Sequence, residues 1–361
     1  MRTPSALAIL LLSAVVSTAE CATYSLLVEN DKWGHPKSDL NYTMGVALNG
    51  SRDGRPSSGW ASIYAPLTAI NDVLHIDAPP DDKSRSFWTF GDTTFTPDKI
   101  TSPSPIPDDR PYSTLLFLGV GYSDRRDNHD VESELRLGLL GTGIGRYVQT
   151  WIHERCCKDD LPAGWSNQVG QGGSPTFLYH AQWTRRYLET ERQRLGFSAG
   201  AEVGYYVRAL AGASFLFGLT SRDFRALGAG GPNQRMAPFG PVGLNQRPAM
   251  LSQAERDETS PHSRGVGLWI QYEASAFAYN ELLQGAWSGT NRVRISYRNI
   301  ERVVHQANTG FDLAFIPKLL PFLADKEFHI YVTQSWRSAD LKFPNVPRNH
   351  YWGGATLSLD Y

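Results

Sequence analysis

The chain ends on strict alternation. Ala355, Leu357, Leu359 and Tyr361 fall on every second position, with Thr356, Ser358 and Asp360 between them. A period of two puts the two sets on opposite faces of a β-strand. One apolar face, one polar face and a closing aromatic fit the last strand of a membrane barrel. The edge strand of a soluble sheet alternates in the same way. Elsewhere no stretch reaches the ~20 consecutive apolar residues that a spanning helix needs. If the chain crosses a membrane, it therefore does so as a closed barrel, because only closure pairs every backbone group in hydrocarbon.

Composition agrees. Mean hydropathy is −0.35 with 20% charged residues, too polar for a helical bundle in lipid. It suits a barrel, in which only alternate residues meet lipid. A net charge of −1 offers no basic field for nucleic acid. At the N-terminus, Arg2, the apolar run Ala6 to Val16 and Ser17-Thr18-Ala19 read as an export signal with a small-residue cleavage site. This divides the chain into a signal peptide, 1–19 (cleavage as late as 22), and one barrel domain, 20–361. Glu20 beside Cys21 argues against a lipoprotein. The adjacent Cys156 and Cys157 have poor geometry for bridging each other and fit no common zinc spacing.

Alternating segments separated by turn residues recur along the chain. They are Tyr24 to Glu29, Tyr42 to Asn49, Ser86 to Phe95, Ser113 to Tyr122, Glu132 to Leu140, Phe177 to Tyr187, Leu195 to Tyr206, Val207 to Leu219, Gly265 to Tyr279, Asn291 to Val304, Gly310 to Ile316 and Glu327 to Trp336. With the terminal strand they predict an all-β, antiparallel transmembrane barrel of about twelve strands. Three segments break the rhythm. Gly59 to Ile76 is apolar and mixed, and is expected on a rim or as a periplasmic appendage. Ala226 to Pro261 reads as a long external loop. Pro317 to Ala324 reads as a short apolar connection.

Three clusters carry chemistry. In GRYVQTWIHERCCKDDLPAG, Gln149 and His153 are four apart and share a face if the segment is helical. Asp159 and Asp160 follow, then Pro162 and Gly164 end any helix. A histidine with a nearby carboxylate can serve as a general base or bind a metal; a solvated surface histidine has the same spacing. Asn30, Asp31, Thr43 and Gly45 flank the first turn and supply a carboxylate, an amide, a hydroxyl and an approachable carbonyl. These are hard oxygen ligands suited to Ca²⁺, or simply a polar hairpin tip. Asp109-Arg110-Pro111-Tyr112 could offer Arg110 to a phosphate, or form a fixed turn with an interfacial tyrosine.

The ordered segments LLVENDKW, SDLNYTMG, TPDKI, DDRPYSTLLFLGVG, GTGIGRYVQTWIH and PAGWSNQ resemble those of the outer-membrane lipid A 3′-O-deacylase family. The match covers most of Leu26 to Gln168 and is weaker onward. It implies a twelve-stranded barrel with its site between the wall and a helix from an external loop. It implies Ca²⁺ as cofactor, lipid A of the outer leaflet as partner and no nucleic acid. Carried over, His153 matches the water-activating histidine and Asn30 and Asp31 the Asn-Asp pair, Asp31 being the calcium carboxylate. Thr43 and Gly45 match positions beside the metal. The family's loop glutamate has no identical partner; Asp159 or Asp160 stands near its place. Lys99 and Arg110 are candidates for holding the substrate phosphate. The apolar segment Gly59 to Ile76 departs from the family pattern.

The resemblance implies hydrolysis of the 3′-linked acyloxyacyl ester by a water that His153 activates, with Gln149 orienting the imidazole or touching substrate. Two other classes are compatible with the residues. One is a non-catalytic barrel, a pore or a structural protein. The other is an outer-membrane phospholipase built on His262-Ser263.

Overall fold

A computed structural model describes residues 23–34, 41–76, 84–126, 128–156, 160–190, 193–218, 265–287, 293–315, 327–343 and 349–360. Its strands are β1 (Thr23–Asn30), β2 (Asn41–Asp53), β3 (Ser84–Thr96), β4 (Ser113–Arg125), β5 (His129–Leu140), β6 (Ser174–Glu189), β7 (Gln193–Gly204), β8 (Tyr206–Gly218), β9 (Gly265–Asn280), β10 (Val303–Phe315), β11 (Glu327–Arg337) and β12 (His350–Asp360). Each pairs antiparallel with its chain neighbours, and β1 pairs with β12 from Thr23↔Asp360 to Asn30↔Gly353, closing the barrel. Closure removes both sheet edges. An even strand number returns both chain ends to one rim, the terminal end; the loops after β1, β3, β5, β7, β9 and β11 lie at the other.

Alternation sets the two faces. Leu26, Val46, Leu118, Leu137, Phe177, Phe197, Ile270, Phe311 and Leu357 are exposed and form the outward apolar belt. The inward positions are largely polar, charged or aromatic, with Leu27, Ala47, Leu115 and Leu178 among them, and are buried against one another. Arg136 pairs with Glu134 at 2.8 Å and Arg194 with Asp130 at 2.7 Å. Glu202 pairs with Arg208 and His180. Toward the far end, Tyr42 packs on Phe95 and on Trp352 with centroids 5.4 and 5.3 Å apart. Glu29 accepts from Tyr42 Oη at 2.7 Å and from Trp352 Nε1 at 3.1 Å. Buried charges are tolerated when paired in this way. Among the described residues these side chains pack the lumen and are nearly fully buried.

Two expectations need correction. Asn291 to Val304 and Gly310 to Ile316 are not two strands: β10 runs Val303–Phe315 as one. The alternation upstream belongs to a loop in which Ile295 and Ile300 bury against Leu283, so apolar spacing there reports a small loop core. Residues 226–261 lie outside the described residues, but the strand ends they join, β8 and β9, sit at the terminal end, not the external one. Gly59 to Ile76 contains a helix, α1 (Ala61–Val73), between β2 and β3. The stretch 317–324 lies outside the described residues.

Candidate active site

The β5–β6 connection carries the second helix, α2 (Ile144–Cys156). Its buried positions are Gly145, Gln149 and His153, a single stripe at i, i+4 and i+8. A helix held by burial alone would place aliphatic side chains there. Here it places an amide and an imidazole, which contribute little to docking, while Tyr147 and Trp151 are exposed at 73% and 47%.

The loops supply the docking instead. Ala163 N donates to Ile100 O at 2.8 Å, and Val169 N donates to Tyr112 O at 2.9 Å. Asn167 Nδ2 donates to Pro103 O at 2.8 Å. Tyr112 Oη donates to Ile100 O at 2.7 Å, and its ring lies 4.5 Å from that of Trp165. Gln168 Nε2 donates to Gly141 O at 3.0 Å, tying the loop's end to its start. The residues of PAGWSNQ thus lock the β5–β6 loop onto the β3–β4 loop, and α2 is carried between fixed points.

Against α2 stands a polar stretch of the outward face. On β3 the outward residues change along the strand from Trp88 and Phe90 to Asp92, Thr94 and Thr96. Thr94, Thr96 and, on β4, Thr114 are fully buried. Hydroxyls on a lipid face are costly unless covered, and α2 covers them by packing on β3. A Cβ at Gly145 would lie 2.5 Å from Thr114 Oγ1 and 2.7 Å from Thr94 Oγ1, so only glycine allows this approach. Eight residues of helix span about 12 Å, and strands are about 4.8 Å apart. From Gly145 over β3 and β4, α2 is long enough to reach β1 and β2.

The rim of β1 and β2 holds the other group. Asn41 starts β2 with φ 68°, a conformation asparagine tolerates. Between Tyr42 and Met44 the register with β3 shifts, and this bulge re-aims Thr43. Thr43 Oγ1 meets Thr96 Oγ1 at 2.8 Å, which puts it on the outward, threonine-lined side. Asn30 Nδ2 donates to Thr43 O at 3.2 Å, and Asn30 Oδ1 accepts from Lys32 N at 2.9 Å. Asn30 therefore pins the bulge and caps the short 3-10 turn Asp31–Trp33. That turn buries Asp31 to 1% exposure.

Gln149 is 2% exposed and His153 3%. Neither Oε1 nor Nε2 of Gln149 has a hydrogen-bond partner among the described residues. Leaving a buried donor or acceptor unmade costs about 1–3 kcal/mol, so this amide is set up for a partner that the described residues do not supply. The same holds for Thr114 Oγ1 and Asp92 Oδ1; Asp92 Oδ2 accepts from Thr94 Oγ1 at 3.2 Å. Asp92 and the threonines were missed from sequence, although the break from apolar to polar along β3 was there to be read.

Other sequence candidates lie elsewhere. Gly45 faces the lumen, where a Cβ would meet Tyr42 Oη at 2.0 Å; packing of that ring accounts for the glycine. Arg110 also belongs to the lumen side, with its guanidinium 4.1 Å over the Phe95 ring. Burial lowers it to about 10, against the pull of Asp340, Tyr206 and Asp109. Neither residue joins the wall side, where α2 sits. Lys99 and Asp160 are exposed, and residues 157–159, with Asp159, lie outside the described residues. Among the described residues no three His, Cys, Asp or Glu converge to hold a metal. A cation here would rest on Asp31 with amide, hydroxyl and carbonyl oxygens, and that donor chemistry fits a hard ion such as Ca²⁺.

Comparison with known proteins places the chain. LpxR from Salmonella typhimurium superposes with a TM-score of 0.64 at 14% identity, over 94% of this chain and 100% of that one. The β domain of the Bordetella autotransporter BrkA gives 0.40 at 10% identity, over 95% and 99%. No curated protein sequence matches. The profile of the family described as outer membrane protein LpxR matches residues 5–361. A twelve-stranded closed barrel matched by that profile over nearly its whole length is a β-barrel of the outer membrane, and the chain belongs to the LpxR family.

Proposed function

We propose that this barrel is a lipid A 3′-O-deacylase, hydrolysing the 3′-linked acyloxyacyl ester with a water that His153 activates. The observation that carries the reading is the buried Gln149–His153 stripe. It is polar, its amide is unpartnered among the described residues, and it lies on the helix face that docks against the threonine-lined wall. A structural helix gains nothing from such a stripe. A helix that serves chemistry between the wall and the outer leaflet requires one.

His153 as a neutral imidazole takes a proton from water as the water oxygen attacks the ester carbonyl. The imidazolium returns that proton to the sugar oxygen as the ester C–O bond breaks. The products are the free acyloxyacyl acid and a sugar hydroxyl. Gln149 has both a donor and an acceptor for orienting the water or an acyl carbonyl. The threonine hydroxyls of β3 and β4 hydrogen-bond the polar part of the substrate. Asp31 and the Thr43 oxygens would hold Ca²⁺, positioned by Asn30. Bound there, calcium supplies Lewis-acid polarisation of the carbonyl and offsets oxyanion charge.

The test is mass spectrometry of lipid A incubated with refolded protein in Ca²⁺ and in EDTA. Calcium-dependent loss of the 3′-acyloxyacyl group supports the proposal. No mass change from a correctly folded barrel would sink it.

A further inference from the structure

The helix α1 (Ala61–Val73) is built inside out. It buries Tyr64, Leu67 and Asn71, and Tyr64, Thr68 and Asn71 hydrogen-bond toward the barrel, while Ser62 near its start and Asp72 near its end are exposed. Tyr64 Oη donates to Phe87 O at 2.7 Å. Thr68 Oγ1 meets Tyr122 Oη at 3.2 Å. Asn71 Nδ2 donates to Ser133 Oγ at 2.8 Å, and Tyr179 Oη donates to Asn71 Oδ1 at 2.9 Å. Away from the barrel it exposes Ile63 at 43% and Val73 at 77%, with Leu74 just beyond it at 52%. Its one charged residue is Asp72, exposed in the last turn, and none occurs from Pro56 to Asn71. A helix facing water shows the opposite arrangement.

The barrel surface under α1 is the outer one. The helix packs with Trp88, Val120, Val131, Leu135, Tyr179 and Ala181. On β5 and β6 these share their face with Leu137, Leu139, Phe177 and Trp183, which are exposed members of the lipid belt. Its contacts run from Phe87 on β3 to Ser133 on β5 and Tyr179 on β6, so α1 lies across the strands. Phe87 and Ser133 are each a few residues in from the terminal end, a depth on the order of 10 Å at about 3.3 Å per residue. That is the depth at which interfacial helices lie in the membrane plane.

We propose that α1 is an interfacial helix embedded in the periplasmic leaflet, and that phospholipid acyl chains cover its outward face of Ile63, Val73 and Leu74. Its place on the barrel's own lipid belt identifies the occupant. The helix also removes from lipid the hydroxyls of Tyr122, Ser133 and Tyr179, which the outer wall would otherwise expose.

The test uses the full barrel in phosphatidylethanolamine–phosphatidylglycerol vesicles, with native cysteines replaced by serine and a bimane label on Ile63→Cys or Val73→Cys. A label on Thr190→Cys, in the water-exposed β6–β7 turn at the same end, is the control. Heat-modifiable gel migration verifies folding of each variant. The expected result is several-fold stronger quenching of the α1 labels by brominated phospholipid than of the control, and weak quenching by iodide. Iodide quenching of α1 equal to that of the control would overturn the proposal. So would protection from both quenchers with disulfide-linked dimers of Val73→Cys, which would assign the face to a second copy of the chain.

Discussion

Gly145 is the point at which α2 touches the wall, and Gly145→Ala tests whether that contact sets catalysis. The added Cβ would lie 2.5 and 2.7 Å from the hydroxyls of Thr114 and Thr94 and 3.1 Å from the Trp165 ring. A carbon–oxygen contact relaxes at about 3.3 Å or more, so about 0.6–0.8 Å must be found. Rotating χ1 puts either the methyl group or the Cβ hydrogen in the hydroxyl's place, and both buried threonines would have to turn together against the stiffness of a β-branched side chain. The helix must lift instead, and Gln149 and His153 lift with it. Overpacking costs about 1–3 kcal/mol, and alanine returns about 1 kcal/mol of helix propensity, so the barrel still folds. Misplacing a catalytic group by about 1 Å can cost 10²-fold. The expected loss in kcat is therefore about 10–100-fold, or roughly 1.4–2.7 kcal/mol, with KM little changed. Initial rates of lipid A deacylation in mixed micelles measure it. Thr94→Ala and Thr114→Ala, added to Gly145→Ala, restore the space and should recover much of kcat, while loss of the hydroxyls that bind the substrate's polar part raises KM. Wild-type turnover in Gly145→Ala would refute the reasoning.

Five further outcomes are expected. His153→Ala lowers kcat by about 10²–10⁴ with unchanged gel migration, and Asp31→Asn shifts the calcium dependence of the rate to higher concentration. Asn71→Ala strands the hydroxyls of Ser133 and Tyr179 under α1 and costs about 1–3 kcal/mol in urea unfolding from vesicles; an unchanged midpoint would remove Asn71 from the stability account. In the β11–β12 connection, burial raises the Asp340 carboxyl but Arg337, His350 and Arg110 outweigh it, leaving it below its ordinary value. The unfolded chain then protonates first as pH falls. This stabilisation is complete above the unfolded value of about 3.9 and is lost as pH drops through the folded one; Asp340→Asn should flatten that acid limb. The packed lumen predicts no steady conductance in planar bilayers, and porin-like currents would contradict it.

Strands were legible because one face of each meets lipid, and a period of two survives in any such sequence. The β10 region failed where loop residues Ile295 and Ile300 made their own small core and mimicked the period. His153 and Gln149 were legible because α2 needs only their spacing to put them on one face. The side of the wall on which a rim residue lies was not legible. Tyr42 faces inward and Met44 outward, although they are two apart, because a bulge at Thr43 lies between them, and a bulge leaves no trace in alternation. Gly45 and Arg110 sit next to candidate residues in sequence, yet a side chain at either position faces the lumen.

Polar residues on the outward face follow one rule at both ends of the wall. On β3 and β4 at the far end, Thr94, Thr96 and Thr114 are buried against α2. On β4 to β6 nearer the terminal end, Tyr122, Ser133 and Tyr179 hydrogen-bond to α1. A hydroxyl left in hydrocarbon is penalised, so each polar patch requires a cover, and the two helices are those covers. They differ in what they leave unsatisfied. Asn71 of α1 uses both ends of its amide on the wall. Gln149 of α2 uses neither end among the described residues. The first arrangement gains stability by completing its hydrogen bonds. The second forgoes that gain, and the binding of a polar substrate under α2 is what would recover it.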